Sequence, residues 1–410
     1  MKKILHIIAQ KPGNTGSGVF LNTLLKEADN YSQAVVAGIS LEDSEYDFPH
    51  KIDFFPVIFE TKLLPFPVIG MSDVMPYRST KYSDVSEEMF TQWKSAFSTK
   101  IREAVDKFKP DVILSHHLWL LTSLVIELCP KIPVYAFCHN TGIRQMYLVQ
   151  KFKDYVVRNI QTVAGIFALT EFQKEEIQYL YNTPKDKIEI TGAGYTSAIF
   201  FSSAKPPCDD VKIVYCGKLS FAKGVLSLLK AYESIILDAE LIMAGSGSGA
   251  EKAEIHLGVS ATQKKITTNG AVSQKVLGNI FREGDIFVLP SFYEGLPLVV
   301  IEALACGMRV VVTDLPGLKD WIGSDINSSG MIEYVKLPEL IGKDVPVKQQ
   351  LPDFENRLKS ALEKQIIAYK TEGNKNIKPY LKDKTWKYVF DKIENRILKD
   401  TGKYKQEGNL

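Results

Sequence analysis

Two segments in the second half of the sequence place charged side chains next to a predicted helix start. The first, residues 217–224 (GKLSFAKG), puts Lys218 and Lys223 at the beginning of a helix. A helix N-terminus favours acidic side chains, so two lysines there indicate that an anion binds. Two ammonium groups can stabilise a leaving diphosphate, a task for which other sites use a divalent cation. A solvated surface pair without a ligand is the alternative.

The second segment, residues 291–307 (SFYEGLPLVVIEALACG), carries two glutamates. Pro297 suits the first turn of a helix and Gly307 its C-terminal cap. The free backbone N–H groups at such a helix start suit a diphosphate. Carboxylates so close to an anion are expected to bind hydroxyl groups, and this role falls to Glu294 in the loop and Glu302 on the first or second turn. Helix capping or solvent exposure of either glutamate stays open.

The elements that position these residues follow from an alternation of short apolar runs and amphipathic stretches. This pattern predicts two parallel sheets covered by helices, with both charged segments at a carboxyl sheet edge, where open α/β folds bind ligands. The predicted strands of the first half are Ile4–Ala9, Ala34–Ile39, Ile52–Val57, Val112–Ser115, Val134–Phe137, Gly165–Leu169 and Ile188–Thr191. Those of the second half are Lys212–Cys216, Glu240–Ala244, Lys265–Thr268, Ile286–Pro290 and Arg309–Thr313.

The length of 410 residues is too great for one compact core and suits two domains. Residues 202–210 (SSAKPPCDD) combine Pro-Pro, small residues and acidic charge, so they form the predicted linker. Residues 60–86 have no clear period and are long for a loop, which indicates a functional or mobile segment. The tail from Leu351 to Leu398 is apolar at helical spacing and must pack on another part of the chain.

Composition and spacing exclude several classes of function. A net charge of +2 gives no field that recruits nucleic acid. No Asp-x-Asp follows a predicted strand, and no His, Asp or Glu cluster has metal-ligand spacing, so we expect no metal and no cofactor. The most apolar stretch, Leu118 to Cys129, is too interrupted to cross a membrane, and residues 1–9 predict a buried strand rather than a signal peptide. We therefore expect a cytoplasmic protein, with peripheral contact at the inner membrane face left open.

The two charged segments together resemble a known family. Glu-x7-Glu within residues 291–307, preceded by Gly-Lys-Leu-x3-Lys-Gly, is similar to the retaining glycosyltransferases of family 4, also called glycosyl transferases group 1. The resemblance covers the second domain throughout and the first more loosely. It implies the α/β GT-B fold, with two Rossmann-like domains whose parallel sheets face each other across a cleft. The implied domains are an acceptor domain of residues 1–205, to which a C-terminal helix in residues 380–410 returns, and a donor domain of residues 206–379.

The resemblance also implies roles for residues of the second domain. Lys218, where the family usually has arginine, and Lys223 would hold the diphosphate. Glu294 would bind the hydroxyls of the donor sugar, and Glu302 the ribose. The other implied positions lie beside the sugar, the phosphates, the ribose or the base, and they are Gly295, Leu296, Pro297, Leu298, Gly245, Gly247 and Val272.

In the first domain, Gly16 and Gly18 follow the first predicted strand and resemble the family's glycine-rich loop, where the backbone approaches donor and acceptor. His139 matches the family histidine that contacts the donor hexose. Of His116 and His117, which end the preceding strand, one is expected to line the acceptor side. An ordinary turn for the glycines and a structural role for each histidine are the alternatives.

The implied reaction is transfer of a hexosyl or N-acetylhexosaminyl group from a nucleotide-diphosphate sugar to an acceptor hydroxyl, as in glycan or glycolipid assembly. The Glu-Gly-Leu-Pro-Leu sequence resembles members that use UDP-sugars, so UDP is favoured over GDP. The acceptor, a carbohydrate, a lipid-linked molecule or a small molecule, is expected to touch residues 60–86. A nucleotide-sugar 2-epimerase of the same fold and a non-catalytic nucleotide-sugar binding protein are the alternatives.

Overall fold

The computed structural model describes residues 2–13, 15–43, 46–73, 75–203, 210–342 and 344–402. The chain divides into two compact units, Met1–Gly192 with Val389–Leu410, and Ala193–Tyr388. Each unit has a hydrophobic core of its own, built on a parallel sheet.

The first unit is built on mostly buried, apolar strands, as a sheet covered on both faces requires. Its strands are β1 (Lys3–Ile8), β2 (Ser32–Ser40), β3 (Asp53–Phe59), β4 (Ile69–Gly70), β5 (Thr80–Lys81), β6 (Val112–His116), β7 (Val134–Phe137), β8 (Gly165–Ala168) and β9 (Ile188–Ile190). Strands β4 and β5 pair with each other, and the rest form a parallel sheet in the order β3-β2-β1-β6-β7-β8-β9. The strand order reverses between β1 and β6, so the carboxyl ends of these two strands flank the position where such sheets bind ligands.

The helices of the first unit lie between these strands along the chain. They are α1 (Gly16–Glu27), α2 (Glu87–Phe108), α3 (Leu120–Leu128), α4 (Thr141–Leu148), α5 (Lys153–Ile160) and α6 (Glu171–Tyr181). Helix α1 begins at Gly16 because the side chain of Thr15 accepts a hydrogen bond from the N–H of Gly18. Gly16 and Gly18 therefore lie in the first helical turn and not in the preceding loop.

Residues 60–86 have little regular structure beyond β4 and β5, but they pack against the first unit. Met71 is buried, and its N–H donates to Oε1 of Gln10, just after β1, at 3.2 Å. The side-chain amide of Gln145 in α4 donates to the Met71 carbonyl at 2.9 Å. These two contacts fix the segment near the carboxyl end of β1.

The second unit repeats the architecture of the first. Its strands are β10 (Val211–Cys216), β11 (Ala239–Ala244), β12 (Ile266–Thr268), β13 (Ile286–Leu289), β14 (Arg309–Thr313), β15 (Ile332–Val335), β16 (Leu340–Ile341) and β17 (Val345–Pro346). Its helices are α7 (Val225–Glu233), α8 (Gly249–Ala261), α9 (Gln274–Glu283), α10 (Leu298–Ala305), α11 (Leu318–Ile322), α12 (Ser324–Asn327) and α13 (Leu351–Glu372). The main sheet has the order β12-β11-β10-β13-β14-β15, which is the Rossmann order with its reversal between β10 and β13.

The last helix, α14 (Trp386–Asp400), belongs to the first unit from Val389 onward. The Lys392 ammonium donates to the carbonyl of Ile190 at 3.2 Å, and Arg396 pairs with Glu189 at 3.5 Å. Both partners lie on β9. The return of a C-terminal helix to the N-terminal domain agrees with the implied fold.

The first unit ends earlier than the boundary predicted at residues 205 and 206. Phe200 is buried in the core of the second unit, and the Arg282 guanidinium donates to the carbonyl of Ile199 at 2.7 Å. The chain has therefore already joined the second unit at these residues. Residues 204–209 of the predicted linker lie outside the described residues.

The second unit also extends beyond the predicted end at residue 379. The N–H of Tyr195 donates to the carbonyl of Lys384 at 2.9 Å, and a Cβ on Gly194 would overlap the backbone of Thr385. This close backbone contact keeps the chain on the second unit as far as Tyr388.

Candidate functional site

The site in the second unit forms where three loops leave the carboxyl ends of β10, β11 and β13. The N–H of Gly217 donates to the carbonyl of Ala244 at 3.0 Å, and that of Leu219 to the carbonyl of Ser246 at 2.9 Å. The loops that follow β10 and β11 are thereby joined, beside the reversal of strand order. Such a switch point is where open α/β sheets bind ligands.

Two glycines allow these loops to pack backbone against backbone. Gly245 has φ of 148°, and a Cβ there would overlap the carbonyl oxygen of Gly217. Gly224, with φ of 65°, precedes α7 and lies against the carbonyl of Pro290 at the end of β13. Because both positions require a left-handed backbone and leave no room for a side chain, only glycine fits them without strain.

A lysine and a glutamate that the sequence analysis placed in the site are in direct contact. The Lys223 ammonium lies 2.6 Å from Oε2 of Glu294, and their side chains are 24% and 17% exposed. Ser291, the first residue of the motif, donates its hydroxyl proton to Oε1 of Glu294 at 2.8 Å. Glu294 is thus held by two neighbours in the ligand-free site, and the orienting role of Ser291 was not apparent from the sequence.

Lys218 differs from Lys223 because its side chain is exposed. Its backbone carbonyl accepts a hydrogen bond from the Tyr215 hydroxyl at 2.8 Å, which fixes the loop after β10. The structure therefore places both lysines in one loop but brings only Lys223 into contact with Glu294.

Several backbone N–H groups at the start of α10 have no hydrogen-bond acceptor among the described residues. Pro297 is the N-cap residue, one position before the first turn in which it was predicted to lie. As a proline it has no backbone N–H. The first N–H with a backbone acceptor in this turn is that of Val300, which donates to Pro297. The N–H groups of Gly295, Leu296, Leu298 and Val299 are left for a ligand, and together with the helix dipole they suit an anion. The C-cap residue is Cys306, and Gly307, which was predicted for this cap, follows it with φ of 87°.

Glu302 lies on the second turn of α10 and is only 4% exposed. No hydrogen-bond donor or cation among the described residues contacts its carboxyl group, and burial raises its pKa to about 8. Burial, and after it the charge of Glu302, raise the pKa of the Cys216 thiol at the end of β10, so the two side chains lie near each other. A buried acid without a partner is costly, and a ligand hydroxyl can satisfy it.

The remaining predicted positions of this unit line the loops after β11 and β12. Gly247 lies against the carbonyl of Leu219, and Val272 packs partly buried on the core of the unit. The N–H of Gly245 donates to the carbonyl of Gly270 at 2.6 Å, which joins the two loops.

The first unit carries a cluster of histidines at the carboxyl ends of β6 and β7. His139 is partly buried, and its Nε2 lies 3.0 Å from Nδ1 of His116. His116 and His117 are 0% and 2% exposed, so neither is a surface residue. Phe20 of α1 packs its ring edge against His139, 4.9 Å between centroids. The contact between His116 and His139 was not predicted from the sequence.

The two glycines of α1 differ in how closely they approach the loop that follows β1. A Cβ on Gly18 would come within 2.8 Å of the backbone nitrogen of Gly13, whereas a Cβ on Gly16 would meet nothing within 4 Å. Of the two, Gly18 is the one that the packing requires.

The ranges that the structure describes contain neither a metal-binding cluster nor a membrane-spanning helix. No group of three or more His, Cys, Asp or Glu side chains there could hold a metal ion. No helix in these ranges has the length and apolar character needed to cross a bilayer.

Comparison with known proteins identifies the family. A family model described as glycosyl transferases group 1 matches residues 210–335, and one described as glycosyltransferase family 4 matches residues 79–195. An uncharacterized glycosyltransferase of Methanocaldococcus jannaschii is 30% identical over 284 residues, which are 63% of this chain and 71% of the relative. The chain belongs to glycosyltransferase family 4.

Solved structures share the fold of this glycosyltransferase. Sucrose-phosphate synthase of Thermosynechococcus elongatus has a TM-score of 0.67 at 13% identity, over 98% of this chain and 100% of that chain. An Anabaena protein crystallised with UDP and glucose has a TM-score of 0.62 at 12% identity, over 97% and 100%. The predicted GT-B fold with two Rossmann-like domains is confirmed. The family makes the chain a transferase enzyme of carbohydrate biosynthesis.

Proposed function

We propose that this glycosyltransferase moves a hexosyl or N-acetylhexosaminyl group from a nucleotide-diphosphate sugar to an acceptor hydroxyl, with retention and without a metal ion. The observation that carries the proposal is the Lys223–Glu294 contact beside the unpaired N–H groups at the start of α10. The ammonium group of Lys223 and the amide donors of α10 suit a diphosphate. The carboxylate of Glu294, which lies beside them, suits sugar hydroxyls.

In the proposed reaction, the bond between the anomeric carbon and the diphosphate oxygen breaks while the acceptor oxygen bonds to the same carbon. The acceptor proton passes to the leaving phosphate. Lys218, Lys223 and the N-terminus of α10 stabilise the negative charge that grows on the diphosphate. Glu302 binds the ribose hydroxyls, which would satisfy its buried carboxyl group.

UDP is the proposed nucleotide, on the family resemblance of the motif. The Anabaena protein with UDP and glucose supports this choice as a structural neighbour. The acceptor class is a carbohydrate, a lipid-linked molecule or a small molecule, in glycan assembly. A thermal-shift comparison of UDP, GDP and their sugars tests the nucleotide, because a ligand at 100 times its Kd adds about 2.7 kcal/mol of stability. Stabilisation by GDP alone would contradict the choice of UDP.

Substitution of Lys223 tests the role of the ammonium groups. Lys223→Ala is expected to lower kcat by about 10²–10³, the usual effect of losing one preorganised donor to a developing charge. Lys252→Ala, at an exposed position of α8, is the matched control and should leave kcat unchanged. Near-normal turnover of Lys223→Ala would overturn the assignment.

Two further measurements separate the proposal from its rivals. Turnover should be unchanged in the presence of EDTA. If EDTA abolished turnover and manganese restored it, metal independence would be contradicted. Donor incubated without acceptor should give only slow hydrolysis with release of the nucleoside diphosphate. A new nucleotide sugar in that mixture would indicate an epimerase, and the absence of any donor chemistry would indicate a binding protein.

A further inference from the structure

His139 and His116 share a single hydrogen bond, and its direction decides what His139 can offer a ligand. Nδ1 of His116 and Nε2 of His139 are 3.0 Å apart, and the ring planes differ by 2°. Burial lowers the pKa of both imidazoles well below the usual value, so both rings are neutral. One proton therefore lies between the two nitrogens, and it belongs either to His116 or to His139.

The surroundings of His116 distinguish these two arrangements. Its other nitrogen, Nε2, is buried and has no hydrogen-bond partner among the described residues. If His139 donated, His116 would carry its proton on this Nε2, which would leave a buried N–H without an acceptor. If His116 donates through Nδ1, only a lone pair is left unpaired. Buried N–H groups without an acceptor are rarer and more costly than unpaired acceptors, so the second arrangement is favoured.

His6, whose ring stacks on His116 at 6.2 Å, shows the same preference where the tautomer is fixed. The amide nitrogen of Gln33 donates to the carbonyls of Leu25 and Ala28, both at 2.9 Å. The amide oxygen of Gln33 must then accept from Nε2 of His6, at 3.1 Å. The unprotonated nitrogen of His6 is consequently Nδ1, which is also the one that is buried without a partner.

We propose that His116 is a positioning residue that holds His139 as the Nδ1–H tautomer, so that His139 presents a hydrogen-bond donor to its ligand. The described residues supply no hydrogen-bond partner to Nδ1 of His139, since its one side-chain hydrogen bond is made through Nε2. The identity of the ligand oxygen, a hydroxyl of the donor sugar, rests on the proposed function, whereas the tautomer does not. A donating His139 cannot accept the proton of the acceptor hydroxyl, which leaves that task to the departing phosphate.

The tautomer is measurable in the ligand-free enzyme by two-bond ¹H–¹⁵N correlation NMR of protein labelled with ¹⁵N-histidine. The signals of His139 are assigned by their loss in His139→Gln. We expect Nδ1 of His139 to be protonated in the unmodified protein. In His116→Asp, whose carboxylate can only accept, Nε2 of His139 should carry the proton instead. In His116→Asn, whose amide nitrogen can replace Nδ1, the original tautomer should persist.

Activity provides the second readout. His116→Asp should lower kcat/KM for the nucleotide sugar about tenfold, and His116→Asn should keep it within about threefold of the unmodified enzyme, as expected for one neutral hydrogen bond. His256→Gln, at an exposed position of α8, is the control for both measurements. If His116→Asp does not fold, the unmodified protein and His116→Asn still decide the question.

The proposal is overturned if His139 carries its proton on Nε2 in the unmodified protein, or if Nε2 of His139 stays unprotonated in a folded His116→Asp. Because these spectra need no substrate, they are independent of the reaction. An unmodified enzyme that binds no nucleotide sugar would instead refute the proposed function and leave the tautomer result standing.

Discussion

Glu302 combines deep burial with the absence of a partner among the described residues, and this makes it sensitive to pH. Burial raises the pKa of its carboxyl group from the ordinary 4.5 to about 8, so the folded state binds this proton more tightly than the unfolded chain. The stability that this tighter proton binding gives the folded state is fully present below about pH 4.5, and it is lost as the pH rises to 8. Glu302→Gln has no such proton. Relative to this variant, the free energy of unfolding of the unmodified protein should fall by a few kcal/mol between pH 5 and 8. Denaturant titrations at several pH values measure the difference, and parallel profiles would contradict it.

Glu294 competes with a diphosphate for Lys223 in the ligand-free site. In Glu294→Gln the ammonium loses its anionic neighbour at 2.6 Å, so UDP should bind up to about fivefold more tightly, within the usual range for a partly exposed ion pair. Turnover of the nucleotide sugar should fall, because the neutral amide accepts sugar hydroxyls less strongly. Calorimetry with UDP and kcat measurements test the two effects, with Glu254→Gln on the exposed side of α8 as the control. Weaker binding of UDP to Glu294→Gln would argue against this competition.

At the residue scale, charge and spacing identified most of the candidate site from the sequence. Glu294 and Lys223 stood out because acids and bases beside a predicted helix start need an explanation. The contact of His116 with His139 could not be predicted, since it depends on the register between β6 and β7, in which His116 lies opposite Phe137. The burial of Glu302 could not be predicted either, because the sequence does not show which side chains surround its carboxyl group.

The connection from β10 to α7 depends on a glycine, and a matched pair of substitutions can show why. Gly224 and Gly249 have φ of 65° and 62°, but a Cβ would overlap the carbonyl of Pro290 at the first and would meet nothing within 4 Å at the second. Gly249→Ala should lower the free energy of unfolding by about 1 kcal/mol through backbone strain alone. Gly224→Ala should cost about 3 kcal/mol and weaken UDP binding, because α7 must shift away from β13. Equal losses in urea titrations would show that the close approach is unimportant.

At the scale of elements, apolar runs predicted every strand named from the sequence to within two residues at each end. The strand β15 was not predicted. Its residues Ile332–Val335 lie at the sheet edge, where two of the four are only partly buried, so the apolar signal is weak. The start of α1 was placed too late because Thr15 caps the helix at Gly16, a position where glycine pairs suggest a loop.

For the whole molecule, the GT-B fold followed from the motifs, but the unit boundaries did not. Composition identified a linker near residue 205, whereas the structure assigns the chain to the second unit from Ala193. Composition marks segments that cannot pack well, and it does not show that the preceding residues, among them Phe200, are already buried. The apolar spacing predicted that the tail packs as a helix. Its return to the N-terminal domain was implied only by the family resemblance.

The returning helix α14 links the end of the chain to the stability of the first unit. Ile393 of this helix is fully buried, so Ile393→Ala should lower the free energy of unfolding of the first unit by about 2–5 kcal/mol. Asn395→Ala, on the exposed side of the same helix, should change little. The site around Lys223 and Glu302 lies in the second unit, which has its own core, so UDP affinity should be the same in both variants. Calorimetric unfolding with and without UDP tests this, because the nucleotide should raise the stability of the second unit in either variant. A loss of UDP binding in a folded Ile393→Ala would show that the nucleotide site depends on the first unit.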